Sequence, residues 1–112
     1  MYFVAKVIYQ IIIKGSKNNQ FDEQLLIIKA QNVAEAYLKA RAIGAEKQHE
    51  FINDRKNNVK WQMIDVADIM PVESPEHGSV VYSQVIEEDS ESFIDYIKRK
   101  AMVLQTQSLL FA

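Results

Sequence analysis

The sequence lacks cysteine and contains only three glycines, at positions 15, 44 and 78, and two prolines. Without cysteine the chain has no disulfide framework, no thiolate metal site and no cysteine nucleophile, and the cytoplasm is its expected compartment. Three isolated glycines cannot form a glycine-rich phosphate loop. His49 and His77 stand far apart, without the close spacing of a metal-ligand pair. We therefore expect no cofactor and no metal.

Neither sign of charge predominates, because the chain has 13 basic and 15 acidic residues and a formal net charge of −2. No overall field favours nucleic acid or anionic lipid as a partner. A weak nucleic-acid role would need basic and aromatic side chains together on one sheet face. Tyr2, Lys6, Lys60 and Tyr82 could supply them, so nucleic-acid binding is the third hypothesis.

No hydrophobic run is long enough to cross a membrane. The most apolar segment, "MYFVAKVIYQIIIKG", is interrupted by Lys6 and Gln10 and has fewer than the roughly 18 apolar residues of a spanning helix. It also lacks the basic start and the small-residue cleavage site of a signal peptide. Its odd positions from Phe3 to Ile13 are all apolar, and this period of two predicts a strand.

The rest of the sequence predicts one α+β domain spanning residues 1–112. The predicted elements are a strand at the N-terminus, a second at 21–30, a helix capped by Asn32 that passes Gly44 and reaches about residue 49, strands at 59–70 and 79–87, and a helix over 90–104. The order is ββαββα. Short connections favour a four-stranded, mainly antiparallel sheet with both helices packed on one face.

The segment "VKWQMIDVADIMPV" contains two aspartates and the only tryptophan within a predicted strand. Alternation places Asp65 and Asp68 on opposite faces, which argues against a pair of catalytic carboxylates. The apolar face changes near Ile64 and Asp65, which indicates a β-bulge. Trp61 suits either the core or an anchor in a protein interface. Ser79 and Ser83 lie near His77 but lack the setting of a serine nucleophile.

Five stretches resemble a bacterial family known as domain of unknown function 4288: "YFVAKVIYQI", "AEAYLKARAIG", "FIN", "VKWQMIDVADIMPV" and "GSVVYS". The resemblance covers Tyr2 to about Val85. It implies glycine at the position of Asp65, which would suit a bulge, and glutamate at the position of Val80. It supports the fold and implies no activity.

The leading functional hypothesis is a non-enzymatic, cytoplasmic protein-interaction module that self-associates, with a homodimer as the first expectation and another protein as a possible partner. Apolar residues on both strand faces and the apolar end "SLLFA" support it. The candidate surface comprises Trp61, Asp65, Tyr82, Leu109, Leu110 and Phe111. The alternative is a ligand-binding protein or hydrolase with a pocket between sheet and helices, using Asp65, His49 or Tyr82.

Overall fold

A computed structural model describes residues 1–17 and 20–111, with side chains up to residue 106. The elements are β1 (Tyr2–Ile13), β2 (Gln20–Lys29), α1 (Val33–Glu46), β3 (His49–Ile52), β4 (Asn58–Val72) and α2 (Ser90–Phe111). The strands form one antiparallel sheet in the order β2-β1-β4-β3. The predicted α+β class and the ββαββα order are therefore confirmed, although several segments differ from the prediction.

Strand β1 lies at the centre of the sheet and has one buried face, as its alternation predicts. Phe3, Ala5, Val7 and Tyr9 are all buried on that face. Helix α1 packs there, so we call it the covered face and the opposite side the open face. Removal of these apolar side chains from water supplies the main driving force for joining the helix to the sheet.

Helix α1 begins where the sequence predicts. The side chain of Asn32 accepts a hydrogen bond of 2.8 Å from the Glu35 amide and so caps the first turn. The helix presents Ala36, Ala40 and Gly44 to the sheet, and their small size allows close approach. It continues past Gly44, as predicted, but ends at Glu46 rather than near residue 49 because the next residues pair as a strand.

Residues 79–87, predicted to be a strand, do not join the sheet. The strand that completes it is β3, the short segment His49–Ile52, which lies before β4 in the sequence. A tight turn makes this pairing possible. The Asn53 side chain accepts hydrogen bonds from the amides of Arg55, at 3.0 Å, and Asn57, at 2.9 Å. Lys56 completes the turn in the left-handed region, with φ of 61°. Hydrogen bonds to the Asn53 side chain therefore stabilise the hairpin. Its first strand has only four residues, too few for the sequence pattern to predict it.

Residues 79–89 form no strand, and the side chains of Val81 and Tyr82 instead lie against the open face. Gly78, with φ of 89°, lies within a turn that the Ser79 amide closes by donating to the Glu76 carbonyl oxygen. Beyond it, Val81 lies beside Tyr2, Val4 and Ile27 in a small apolar depression. Side-chain packing across the face thus replaces the backbone pairing that alternation predicted.

Two register shifts interrupt the pairing of β1 with β4. One lies between Ile8 and Tyr9 and leaves Ile64 without a partner, and the other lies between Lys6 and Val7 and leaves Ala67 without one. The first confirms the bulge predicted near Ile64 and Asp65. An extra residue twists and bends a strand locally, so these bulges redirect the side chains around Asp65.

Helix α2 does not pack on the sheet, which corrects the prediction that both helices cover one face. Within the described residues, no part of it packs against a strand or against α1. Its first turn is capped by Asp89, whose carboxylate accepts from the Ser92 amide at 3.2 Å. Of the two helices, α1 alone packs on the covered face in the described part of the chain.

Candidate functional site

Trp61 belongs to an aromatic cluster, which we define as His49, Phe51 and Trp61. The register of the β3–β4 hairpin places His49 directly opposite Trp61. Their ring centroids lie 5.6 Å apart with planes 10° from parallel, and His49 and Phe51 stack at 5.7 Å. Phe51 is 43% exposed and Trp61 is half-buried. The cluster is therefore a flat, partly exposed surface on the covered face, beyond the end of α1.

A polar contact fixes the tryptophan. Trp61 Nε1 donates to the Asp22 carboxylate at 3.1 Å, and the Gln24 amide donates to the same oxygen at 2.6 Å. This bond joins β4 to β2 across the intervening β1. Trp61 thus packs on its neighbours and still leaves part of its ring accessible, and its role as an interface anchor stays a prediction.

Asp65 faces α1 and not the aromatic cluster. Its carboxylate accepts hydrogen bonds from the Tyr37 hydroxyl at 2.9 Å and the Val66 amide at 2.7 Å, and it lies 3.9 Å from Arg41 Nε. The Val66 amide, the Tyr37 hydroxyl and the Arg41 charge together lower the pKa of Asp65. The same carboxylate raises the pKa of Tyr37. Tyr37 and Arg41, one helical turn apart, were missed in the sequence as partners of Asp65.

We expect Asp65→Asn to lower stability at pH 7, with the deficit disappearing as the pH falls. The lowered folded pKa of Asp65 stabilises the fold above the unfolded value of about 3.9, and this contribution is lost as pH falls through the folded pKa. Urea unfolding of both proteins at pH 7 and at pH 3 measures it. Asp54→Asn, in the exposed β3–β4 turn, is the control. A deficit unchanged at pH 3 would contradict this assignment.

Tyr82 anchors the segment that crosses the open face. Its hydroxyl donates to the Asp68 carboxylate at 3.2 Å, and the Lys6 ammonium lies 4.5 Å from its ring centroid. Lys6 also pairs with Glu23 at 3.3 Å. The contact with Tyr82 and then the pairing with Glu23 raise the pKa of Lys6. Asp65 and Asp68 therefore bind partners on opposite sides of the sheet, as alternation predicts for them.

The structure does not bring the predicted surface residues together. Trp61, Asp65 and Tyr82 each contact a different set of neighbours, and the side chains of Leu109, Leu110 and Phe111 lie outside the described residues. His49 Nδ1 lies 3.0 Å from the Lys47 carbonyl oxygen and its ring stacks on Trp61. Within the described part of the chain, no three histidine or carboxylate groups converge as metal ligands.

The open face carries apolar side chains that the site prediction omitted. On β2, Phe21 is 58%, Leu25 is 50% and Ile27 is 62% exposed. The segment "LLII", residues 25–28, is apolar on both faces although β2 lies at the sheet edge. Apolar residues on both faces of β2 were the sequence signal for this surface. They leave apolar side chains exposed on the open face of a single chain.

Comparison with known proteins identifies a family and no activity. Within the described residues, neither helix combines the length and the apolar content needed to cross a bilayer. No match was found among curated proteins or among solved structures. The family model Domain of unknown function (DUF4288) matches residues 2–83, which include all four strands and α1 and end before α2. Over this part of its length, the chain belongs to that family.

Proposed function

We propose that the chain is a bacterial, cytoplasmic protein-interaction module without catalytic activity, and that it associates with a second copy of itself as a homodimer. The cytoplasmic assignment rests on the absence of cysteine. The observation that carries the self-association is the amount of surface that one chain leaves exposed.

The accessible surface of the chain is too large for a compact monomer. It measures 9105 Å², whereas a folded monomer of 12.9 kDa exposes about 6,300 Å². The excess is thus about 2,800 Å², and each partner of an obligate dimer buries about 1,000–2,500 Å² or more. A single partner copy accounts for surface of this size.

The dimensions of the chain support the same proposal. Its radius of gyration is 17.8 Å, compared with about 13 Å for a compact domain of this length. The difference is consistent with α2, which extends from the sheet without packing on it. Ile97, Val103 and Leu104 on this helix are 45%, 56% and 65% exposed. Exposed apolar side chains in such number are typical of a protein that binds another surface.

Light scattering on the full chain at tens of micromolar tests the proposal. We expect a particle of twice the chain mass of 12.9 kDa. Ile97→Asp, on the apolar side of α2, should shift the mass toward that of one chain, because a buried unpaired charge is costly. Thr106→Asp introduces the same charge on the side of the helix opposite Ile97 and should leave the dimer intact. A wild-type protein with the mass of one chain would disprove self-association.

A further inference from the structure

Two apolar surfaces on regular elements lie exposed in the described part of the chain. The first is the part of the open face formed by Phe21, Leu25 and Ile27 on β2 with Ile12 on β1, all of them exposed. The second, which we call the apolar stripe of α2, is formed by Ile94, Ile97, Ala101 and Leu104. Both surfaces belong to regular elements, and both kinds of element bury their apolar side in stable domains.

The open face differs from an ordinary solvent-facing sheet. An antiparallel sheet with one wet side carries polar residues on that side. On β2 the residues facing this way are Phe21, Glu23, Leu25, Ile27 and Lys29, and three of these five are apolar. The crossing segment covers the end near Ile27 through Val81. Tyr82 covers Lys6 on β1, and Leu25 and the Phe21 end of β2 are left exposed.

The apolar stripe of α2 has the spacing of a helix that docks on another element. Its four residues recur at intervals of three, four and three positions, which places them along one side of the helix. Asp95 and Arg99, which pair with each other at 2.6 Å, lie on the other side. In proteins, most of the stability of a helix comes from packing of its apolar face. The stripe therefore requires cover.

The two surfaces match in length. The bare part of β2, from Phe21 to Leu25, extends about 14 Å, and the apolar stripe of α2, from Ile94 to Leu104, extends about 15 Å. One helix laid along the strand direction would cover the bare part of the open face from end to end.

We propose that α2 of each copy lies along the open face of the other copy in a reciprocal exchange, which deepens the proposed self-association and depends on it. A two-fold axis makes both contacts identical, so each chain contributes one helix and one sheet face. The exchange buries both bare surfaces of both chains, in keeping with an excess surface of about 2,800 Å² per chain. Pairing of α2 with α2 would cover the helices alone and leave Phe21, Leu25 and Ile27 in water.

Cross-linking between differently tagged chains tests the exchange. Because the native sequence has no cysteine, only the introduced cysteines react with the cross-linker. One chain carries Leu25→Cys, near the middle of β2, and the other carries Ala101→Cys, near the middle of α2. Because both positions are central, the pair meets whichever way the helix runs. After mixing and re-equilibration, a short bis-maleimide should join the two tags. We expect about tenfold less product with Arg99→Cys, on the other side of α2, because effective concentration falls away from the interface.

The outcomes separate this proposal from the broader one. The two-tag product, present with Ala101→Cys and weak with Arg99→Cys, supports the exchange. Efficient cross-linking of Ala101→Cys chains only to each other would overturn it in favour of α2 pairing. Preferential cross-linking within a single chain carrying both substitutions would overturn it in favour of docking on its own sheet. Light scattering on the same samples shows whether a dimer is present, so a dimer without the two-tag product refutes the exchange alone.

Discussion

Replacing Tyr9 by alanine is expected to lower the free energy of unfolding by about 3–5 kcal/mol, the cost of deleting a buried aromatic side chain. Tyr9 is 0% exposed and is among the largest fully buried side chains. Its hydroxyl donates to the carbonyl oxygen of Gly44 at 2.8 Å, so one residue fills the core and also holds the end of α1. Since small domains are stable by about 5–15 kcal/mol, this variant should be close to unfolding.

Tyr9→Phe separates the contribution of the ring from that of the hydroxyl. It keeps the ring volume and removes one hydrogen bond, for an expected loss of about 1 kcal/mol. The Gly44 carbonyl keeps its bond from the Lys47 amide at 3.2 Å and is not left unpaired. Urea unfolding followed through the single tryptophan, at one fixed chain concentration, measures both variants. Equal losses for the two variants would contradict a dominant role of ring packing.

The Tyr9 hydroxyl also predicts a change at high pH. Burial, followed by the negative charge of Asp22, raises the pKa of Tyr9. A raised folded pKa means that the contribution of the neutral hydroxyl is complete below the unfolded value of about 10 and is lost as pH rises through the folded value. The stability difference between Tyr9→Phe and the wild type should therefore shrink in strongly alkaline solution.

Replacing Gly44 by valine is expected to lower the free energy of unfolding by about 1–3 kcal/mol through overpacking. A Cβ atom at this position would lie 3.0 Å from the Met63 side chain and 3.1 Å from Val7 Cγ1. Met63 can adjust, but Val7 is fully buried and stiff at χ1. The γ-methyl groups of valine would force α1 away from the sheet and strain the bond from Tyr9. The slightly better helix propensity of valine over glycine does not offset this.

Ala45→Val is the matched control, because it introduces the same side chain one residue later on the exposed side of α1. Its loss should be limited to a few tenths of a kcal/mol, the cost of a β-branched residue in a helix. Urea unfolding of both variants at the same chain concentration measures the difference. Similar losses for Gly44→Val and Ala45→Val would show that the contact with Val7 and Met63 does not limit the approach of the helix.

The Asn32 cap, the alternation in β1 and the continuation of α1 past Gly44 could all be predicted from the sequence. Each depends on local chemistry: a side-chain acceptor at a helix start, a period of two, and a small residue in the apolar stripe. The bulge near Asp65 was also predictable, because the apolar face changes within "MIDVAD". Local patterns of this kind act over a few residues, and the fold retains them.

Local patterns could not predict which segment pairs with the outer edge of β4. Residues 79–87 have the stronger strand pattern, yet His49–Ile52 pairs with β4. The hairpin joins neighbouring residues through a short turn, whereas the later segment reaches the sheet by side-chain packing of Val81 and Tyr82. Which of the two segments pairs with β4 depends on contacts throughout the fold. A short window of sequence carries no information about those contacts.

By itself, the sequence determined an α+β domain with the ββαββα order, no cysteine chemistry and no phosphate loop. Only the tertiary structure decided that Trp61, Asp65 and Tyr82 occupy separate surroundings, and that the open face and α2 are both without cover in one chain. The physical reason is that alternation and helical spacing show which side chains need burial. They do not show what buries them, because contacts distant in sequence depend on how complete elements pack together.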